Sequence, residues 1–180
     1  LGLAIVDRMG VYGAPRFHSA ARDVGMRAIH GAELAMEDGS LLPVLVENRT
    51  GYANLCQLLT QAHLRALKGE GVVRWGELPE FTAGLIALTG DDEGPLIAAL
   101  KSDGVFPANS PSSPSPAVGP AAATLRSKTQ NPAPSSLSTE GTLDRIIHAL
   151  GAAQVYVELQ RHFRRGEDRL QRALIGLAKA

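Results

Sequence analysis

A single cysteine, Cys56, stands in 180 residues, so no disulfide can close within the chain and a reducing compartment is expected. Neither sign of charge is in excess: 18 Lys and Arg balance 18 Asp and Glu. A domain that grips nucleic acid alone usually carries a basic surplus. Its lack argues against autonomous DNA binding, though not against a module carried by a larger DNA-binding protein. No apolar run is long enough to cross a membrane, and no signal-peptide pattern opens the chain. These absences predict a soluble cytoplasmic protein without a membrane partner. The first residue is Leu1 rather than Met, and it stands inside the apolar run Leu1-Gly2-Leu3-Ala4-Ile5-Val6. A domain seldom starts mid-strand, so an N-terminal piece is expected to precede it.

What is present is 44% hydrophobic, enough for one core. Residues 1–6 read as a short buried strand with Asp7 and Arg8 at its end. Residues 13–24 read as an amphipathic helix with Phe17, Ala20, Ala21 and Val24 on one face, capped by Gly25. Strands follow at 26–29, running into Gly31-Ala32-Glu33, and at 42–46. A helix with Leu55, Leu58, Leu59, Ala62 and Leu67 at helical spacing comes next. A loop with Trp75 precedes a strand at 85–88 that ends in Thr89-Gly90-Asp91, and residues 93–100 read as helix. Another helix is expected at 142–150 with Thr142 as its N-cap, then a strand at 154–159 and a final helix at 167–179. This alternation predicts an α/β fold of mainly parallel strands with crossover helices. Chemistry in such folds gathers at the C-terminal strand ends, where Asp7, Glu33, Asp91 and Gln160-Arg161-His162 all fall.

Residues 102–140 interrupt the alternation. Runs such as Ser110-Pro111-Ser112-Ser113-Pro114 and Pro132-Ala133-Pro134-Ser135-Ser136 hold too little apolar surface to offset their ordering entropy. They read as a disordered Pro/Ser/Ala-rich insertion in one domain made of residues 1–101 and 141–180.

Five segments carry a resemblance. They are Leu3-Ala4-Ile5-Val6-Asp7-Arg8 with Gly10-Val11-Tyr12-Gly13; Gly31-Ala32-Glu33-Leu34; Asn48-Arg49-Thr50-Gly51-Tyr52-Ala53-Asn54-Leu55; Gly84-Leu85-Ile86-Ala87-Leu88-Thr89-Gly90; and Val155-Tyr156-Val157-Glu158-Leu159-Gln160-Arg161-His162. In this order they resemble the PHP (polymerase and histidinol phosphatase) domain of bacterial DNA polymerase III alpha subunits, the error-prone branch in particular, truncated at both ends. The resemblance implies part of a distorted β/α barrel and a place in DNA replication or repair. It also implies a mouth where Zn, Mn or Fe cations, held by His, Asp, Glu and Cys, activate water for phosphoester hydrolysis.

Tested residue by residue, that ligand set is thin. The family's opening His-x-His motif would precede Leu1, and its closing Asp-x-His would lie beyond Ala180. Its Asp-His pair reads Asp7-Arg8 here, and a guanidinium has no lone pair to offer. No His stands near Leu41, and Asp91 replaces the expected Cys. Glu33 is intact. Glu33, Asp91 and Asp7 are therefore the candidate metal residues, read as vestigial, and the two carboxylates Glu33 and Asp91 cannot build a multinuclear site. No catalytic residue and no bound cofactor are expected, with Zn, Mn or Fe as the alternative.

The bland readings are specific. Asp7 caps the loop after it, Glu33 pairs with Arg8 across the mouth, and Asp91-Asp92-Glu93 sit at a helix start where negative charge is favoured. His18, His30, His63 and His148 read as surface or edge histidines, and Cys56 as core. Arg161, His162, Arg164 and Arg165 form a basic cluster that could touch DNA or an acidic partner, although a solvated helix face is the commoner case.

Three functions follow from this reading. The first is a catalytically degenerate PHP module of an error-prone polymerase system, with DNA or polymerase subunits as partners. The second is a metal-dependent phosphoesterase or 3′–5′ exonuclease, and the third a non-enzymatic interaction protein of a DNA-damage response. No polymerase active site fits in this length. An incomplete barrel exposes strand edges, so self-association is expected in size-exclusion chromatography. A sharp monomer peak at all concentrations would count against it.

Overall fold

The computed structural model describes residues 1–105, 137–161 and 167–179. Five strands form one open sheet in the order β1-β2-β3-β4-β5: β1 (Gly2–Arg8), β2 (Arg27–Ala35), β3 (Leu41–Val46), β4 (Leu85–Leu88) and β5 (Val155–Tyr156). β1 pairs parallel with β2, and β4 with β5, while β3 lies antiparallel between β2 and β4. Four strands thus point one way and only β3 is reversed. The helices are α1 (Ala14–Asp23), α2 (Arg49–Leu64), α3 (Pro95–Ser102), α4 (Thr139–Leu150) and α5 (Glu167–Leu177).

Successive side chains on a strand face opposite ways, and the register assigns the faces. Ala32, Leu34, Leu42, Val44, Leu85 and Ala87 share one face, all buried, against Leu55 and Leu58 of α2 and Ile146 of α4. On the other face Ala35, Pro43, Leu45, Ile86 and Leu88 are only half-buried. A second apolar cluster joins Leu96, Ile97 and Leu100 of α3 to Leu174 of α5.

Local chemistry explains the element ends. Asn48 caps α2 by accepting from the Gly51 amide at 3.1 Å. Gly51 is obligatory because a Cβ there would lie 1.8 Å from the Gly84 carbonyl oxygen. The close approach of α2 to the start of β4 depends on it.

Several boundaries differ from the sequence reading. The second strand does not stop at Ile29 but runs to Ala35, because Gly31 lets the β3 backbone approach where a Cβ would lie 2.2 Å from the Val44 carbonyl oxygen. The helix expected to reach Leu67 ends at Leu64, and Leu67 is exposed. Arg65 turns the chain there, bonding the Val72 carbonyl and the Glu77 carboxylate. The cap of α4 is Ser138, accepting from the Gly141 amide, and Thr142 is buried inside the helix. The last strand covers Val155–Tyr156, not 154–159: β4 has only four residues, and the Glu158 amide bonds the Thr89 hydroxyl instead. Ser102, Thr139 and Glu140 belong to helices rather than to the expected insertion. The Asp103 carboxylate accepts from both the amide and the hydroxyl of Thr139, at 2.8 and 2.6 Å, so the two stems of that segment meet. Residues 106–136 lie outside the described residues.

The turn between β2 and β3 is tied to α4 by Asp38. Its carboxylate accepts from the amide and hydroxyl of Ser40, from Trp75 Nε1 at 2.8 Å and from Arg145 at 3.2 Å, and the guanidinium stacks 5.1 Å over the Trp75 ring. Burial alone would raise the Asp38 pKa, but the bonds from Ser40 and Trp75 and the charge of Arg145 together hold it below the usual value. A depressed carboxylate stabilises the fold above its unfolded pKa, and that stability is lost as pH falls through the folded pKa. Asp38→Asn is expected to cost about 1–3 kcal/mol in urea unfolding at neutral pH. It should also flatten the loss of stability below about pH 4.

Candidate functional site

The C-terminal ends of β1, β2, β4 and β5 share one edge of the sheet, and β3 begins there. The register sets Asp7 opposite Ala32 and Arg8 opposite Glu33. Adjacent residues face opposite ways, so Asp7 turns to the helix-covered face and Arg8 and Glu33 to the open one.

Each candidate then has its own partner. Asp7 accepts from the Gly13 amide at 2.7 Å, in front of α1. This is the loop-capping role, and it separates Asp7 from the other carboxylates. Asp91 accepts from the Glu93 amide at 3.0 Å, closing the turn that leads into α3. Glu33 meets Arg8 Nε at 3.5 Å, and the same guanidinium reaches Glu93 through its terminal nitrogen at 3.0 Å. The backbone holds Glu93 near, since the Leu41 amide of β3 donates to its carbonyl at 2.9 Å. Glu93 is the residue that sequence reasoning missed as a partner: it reads as one of three acids at a helix start, and the bond from β3 to the turn before α3 brings it to the mouth.

Met9 supports this arrangement. It has φ of +50°, a left-handed conformation uncommon for a side chain of this kind. Its amide donates to the Glu33 carbonyl, its sulfur accepts from the Ala35 amide at 3.1 Å, and its carbonyl lies 2.8 Å from His63 Nε2. His63 is therefore a half-buried strut and not a surface histidine. Cys56, expected in the core, is half-buried on the flank of α2 beside Phe81 and Leu64, in an open groove of about 670 Å³.

Past β5, Gln160 donates to Glu158 at 2.7 Å, and its carbonyl accepts from Gln171 of α5. Arg161 is exposed there. His162, Arg164 and Arg165 lie outside the described residues. Among the described residues no group of three or more His, Cys, Asp or Glu side chains could hold a metal ion. Asp7, Glu33 and Asp91 do not converge, and a guanidinium stands between Glu33 and Glu93. Among the described residues this donor set does not fit the divalent cluster that the resemblance implies. No helix among the described residues is long and apolar enough to cross a membrane.

The bonds of Arg8 are largely in solvent, with more than half of its side chain exposed, and exposed ion pairs contribute little. Arg8→Ala should lower the unfolding free energy by less than about 1 kcal/mol, measured by urea denaturation. A larger loss would show that the guanidinium props the mouth.

The chain is 41% identical over 107 residues to an error-prone DNA polymerase of Pseudomonas fluorescens, a match that covers 58% of this chain and 10% of the relative. It is 42% identical over 79 residues to that of Corynebacterium glutamicum, covering 44% of this chain and 7% of the relative. The chain therefore spans about a tenth or less of the curated relatives it matches. A solved structure from Bifidobacterium adolescentis, titled as a metal-dependent phosphoesterase by assignment, aligns over 97% of this chain and 63% of its own with a TM-score of 0.30 and 19% identity, a likeness too low to carry any inference. Residues 2–162 match the PHP domain, and the chain belongs to the PHP domain family.

Proposed function

We propose that this chain is a non-catalytic PHP module of an error-prone polymerase system, acting through association rather than hydrolysis. One observation carries the reading: Arg8 spans Glu33 and Glu93. Those two carboxylates face a permanently charged guanidinium, which donates hydrogen bonds but is not a Lewis acid and cannot coordinate a hydrolytic water as a metal ion does. Metal-assisted hydrolysis needs the opposite arrangement, an open coordination position on an ion held by several anionic or imidazole ligands. Asp7 accepts from the Gly13 amide and Asp91 from the Glu93 amide, which supports reading each as a turn-capping group rather than as a partner of Glu33 around one ion.

The curated relatives are error-prone DNA polymerases, which supports DNA or polymerase polypeptides as partners and a site of action in the cytoplasm. The basic residues Arg161, His162, Arg164 and Arg165 that follow β5 are the proposed nucleic-acid contact.

The competing reading, a Zn-, Mn- or Fe-dependent phosphoesterase or 3′–5′ exonuclease, is tested directly. Single-stranded DNA with a labelled 3′ end is incubated with the chain and each ion in turn, beside Glu33→Ala. The expected result is equal background in both. Hydrolysis by the native chain that Glu33→Ala abolishes would overturn the proposal.

A further inference from the structure

Away from the mouth, two histidines approach each other across the gap between α1 and β2. His18 is exposed on α1, and His30 is half-buried on β2, opposite Ile5 of β1. Their ring centroids are 5.8 Å apart, with the planes inclined at 37°. Phe17 closes one side, its ring edge-on to His30 at 6.1 Å. The Nδ1 of His30 is buried and has no hydrogen-bond partner among the described residues. A buried imidazole nitrogen without a protein partner calls for an explanation, and ligation of a cation would supply one.

We infer that His18 and His30 form a two-imidazole site for a borderline divalent transition-metal ion, Zn²⁺ or Cu²⁺, which pins α1 to the sheet. Imidazole nitrogens suit these ions. Two imidazoles on one ion, with nitrogens about 2.0–2.1 Å from it, set their ring centres roughly 5–6 Å apart at tetrahedral to trigonal angles. The observed separation of 5.8 Å falls in that range. Burial, and then the neighbouring His18, hold the His30 pKa below the usual histidine value, which favours the neutral ring with one nitrogen lone pair free to ligate. Water would complete the shell, since the protein supplies two ligands.

The fold has a use for such a pin. α1 buries only Ala14 and Ala21, so apolar packing holds it weakly to the sheet. Beyond β2 lies β1, an edge strand whose Leu3 and Val6 are exposed. A cross-link from α1 to β2 would brace the sheet next to that edge. The site shares no residue with Arg8, Glu33 and Glu93, so its fate is independent of the proposed loss of catalysis.

The test uses the full chain without a histidine tag. Zn²⁺ is titrated by calorimetry and Cu²⁺ is followed by electron paramagnetic resonance, for the native chain, His18→Gln, His30→Gln and Glu33→Gln. The expected result is one equivalent of Cu²⁺ with nitrogen hyperfine splitting and a Zn²⁺-dependent rise in Tm. His18→Gln should weaken both by about tenfold or more, while Glu33→Gln leaves both intact. His18 is exposed, so its variant folds even where His30→Gln does not. Binding that survives His18→Gln, binding lost in Glu33→Gln, or no binding by the native chain would each overturn the inference.

Discussion

The seven-residue parallel register between β1 and β2 is the constraint on which the rest of the mouth depends. It sets Arg8 beside Glu33 and Asp7 beside Ala32. A slip of one residue would turn every β1 side chain to the other face, sending the guanidinium toward the core and Asp7 to the open side. The register is held from both ends of the Met9 region: the Met9 amide bonds the Glu33 carbonyl, and the Asp7 carboxylate bonds the Gly13 amide. The positive φ of Met9 is tolerated because its sulfur and carbonyl also have partners, on β2 and α2. Strain of this kind persists where neighbours over-determine it.

The other anchor is Asp38. One carboxylate takes donors from its own turn, from the indole of Trp75 and from α4. Residues more than a hundred positions apart in sequence thereby share one polar node. The joining of Asp103 to Thr139 works in the same direction, closing the base of the long intervening segment. α4 can then bury Ile146 and Leu150 against the sheet whatever path residues 106–136 take.

Helix and strand positions were largely legible because burial on one side imposes a period. The leucines of α2 and the four residues of β4 stand where their spacing put them. The boundaries were less legible, because they are decided by partners distant in sequence. Nothing local in Glu33-Leu34-Ala35 announces a strand, yet β3 pairs with it as far as Ala35. Nothing local in Leu64-Arg65-Ala66-Leu67 stops a helix, yet Glu77 and the Val72 carbonyl capture Arg65. The placement of Glu33 and Asp91 at one end of the sheet, and the pairing of Glu33 with Arg8, could be read from strand-end positions. The role of Glu93 could not, since it follows from the Leu41 backbone contact.

By itself the sequence determined the α/β alternation, the PHP resemblance and the presence of Arg8 and Glu33 at strand ends, all of which rest on residue type and near-neighbour spacing. Tertiary structure alone decided which charges meet. It turned Asp7 away from Glu33, drew Glu93 to Arg8, and set His18 against His30. The reason is physical: side-chain facing depends on register between strands, and register is settled by the burial of the whole sheet face rather than by any one segment.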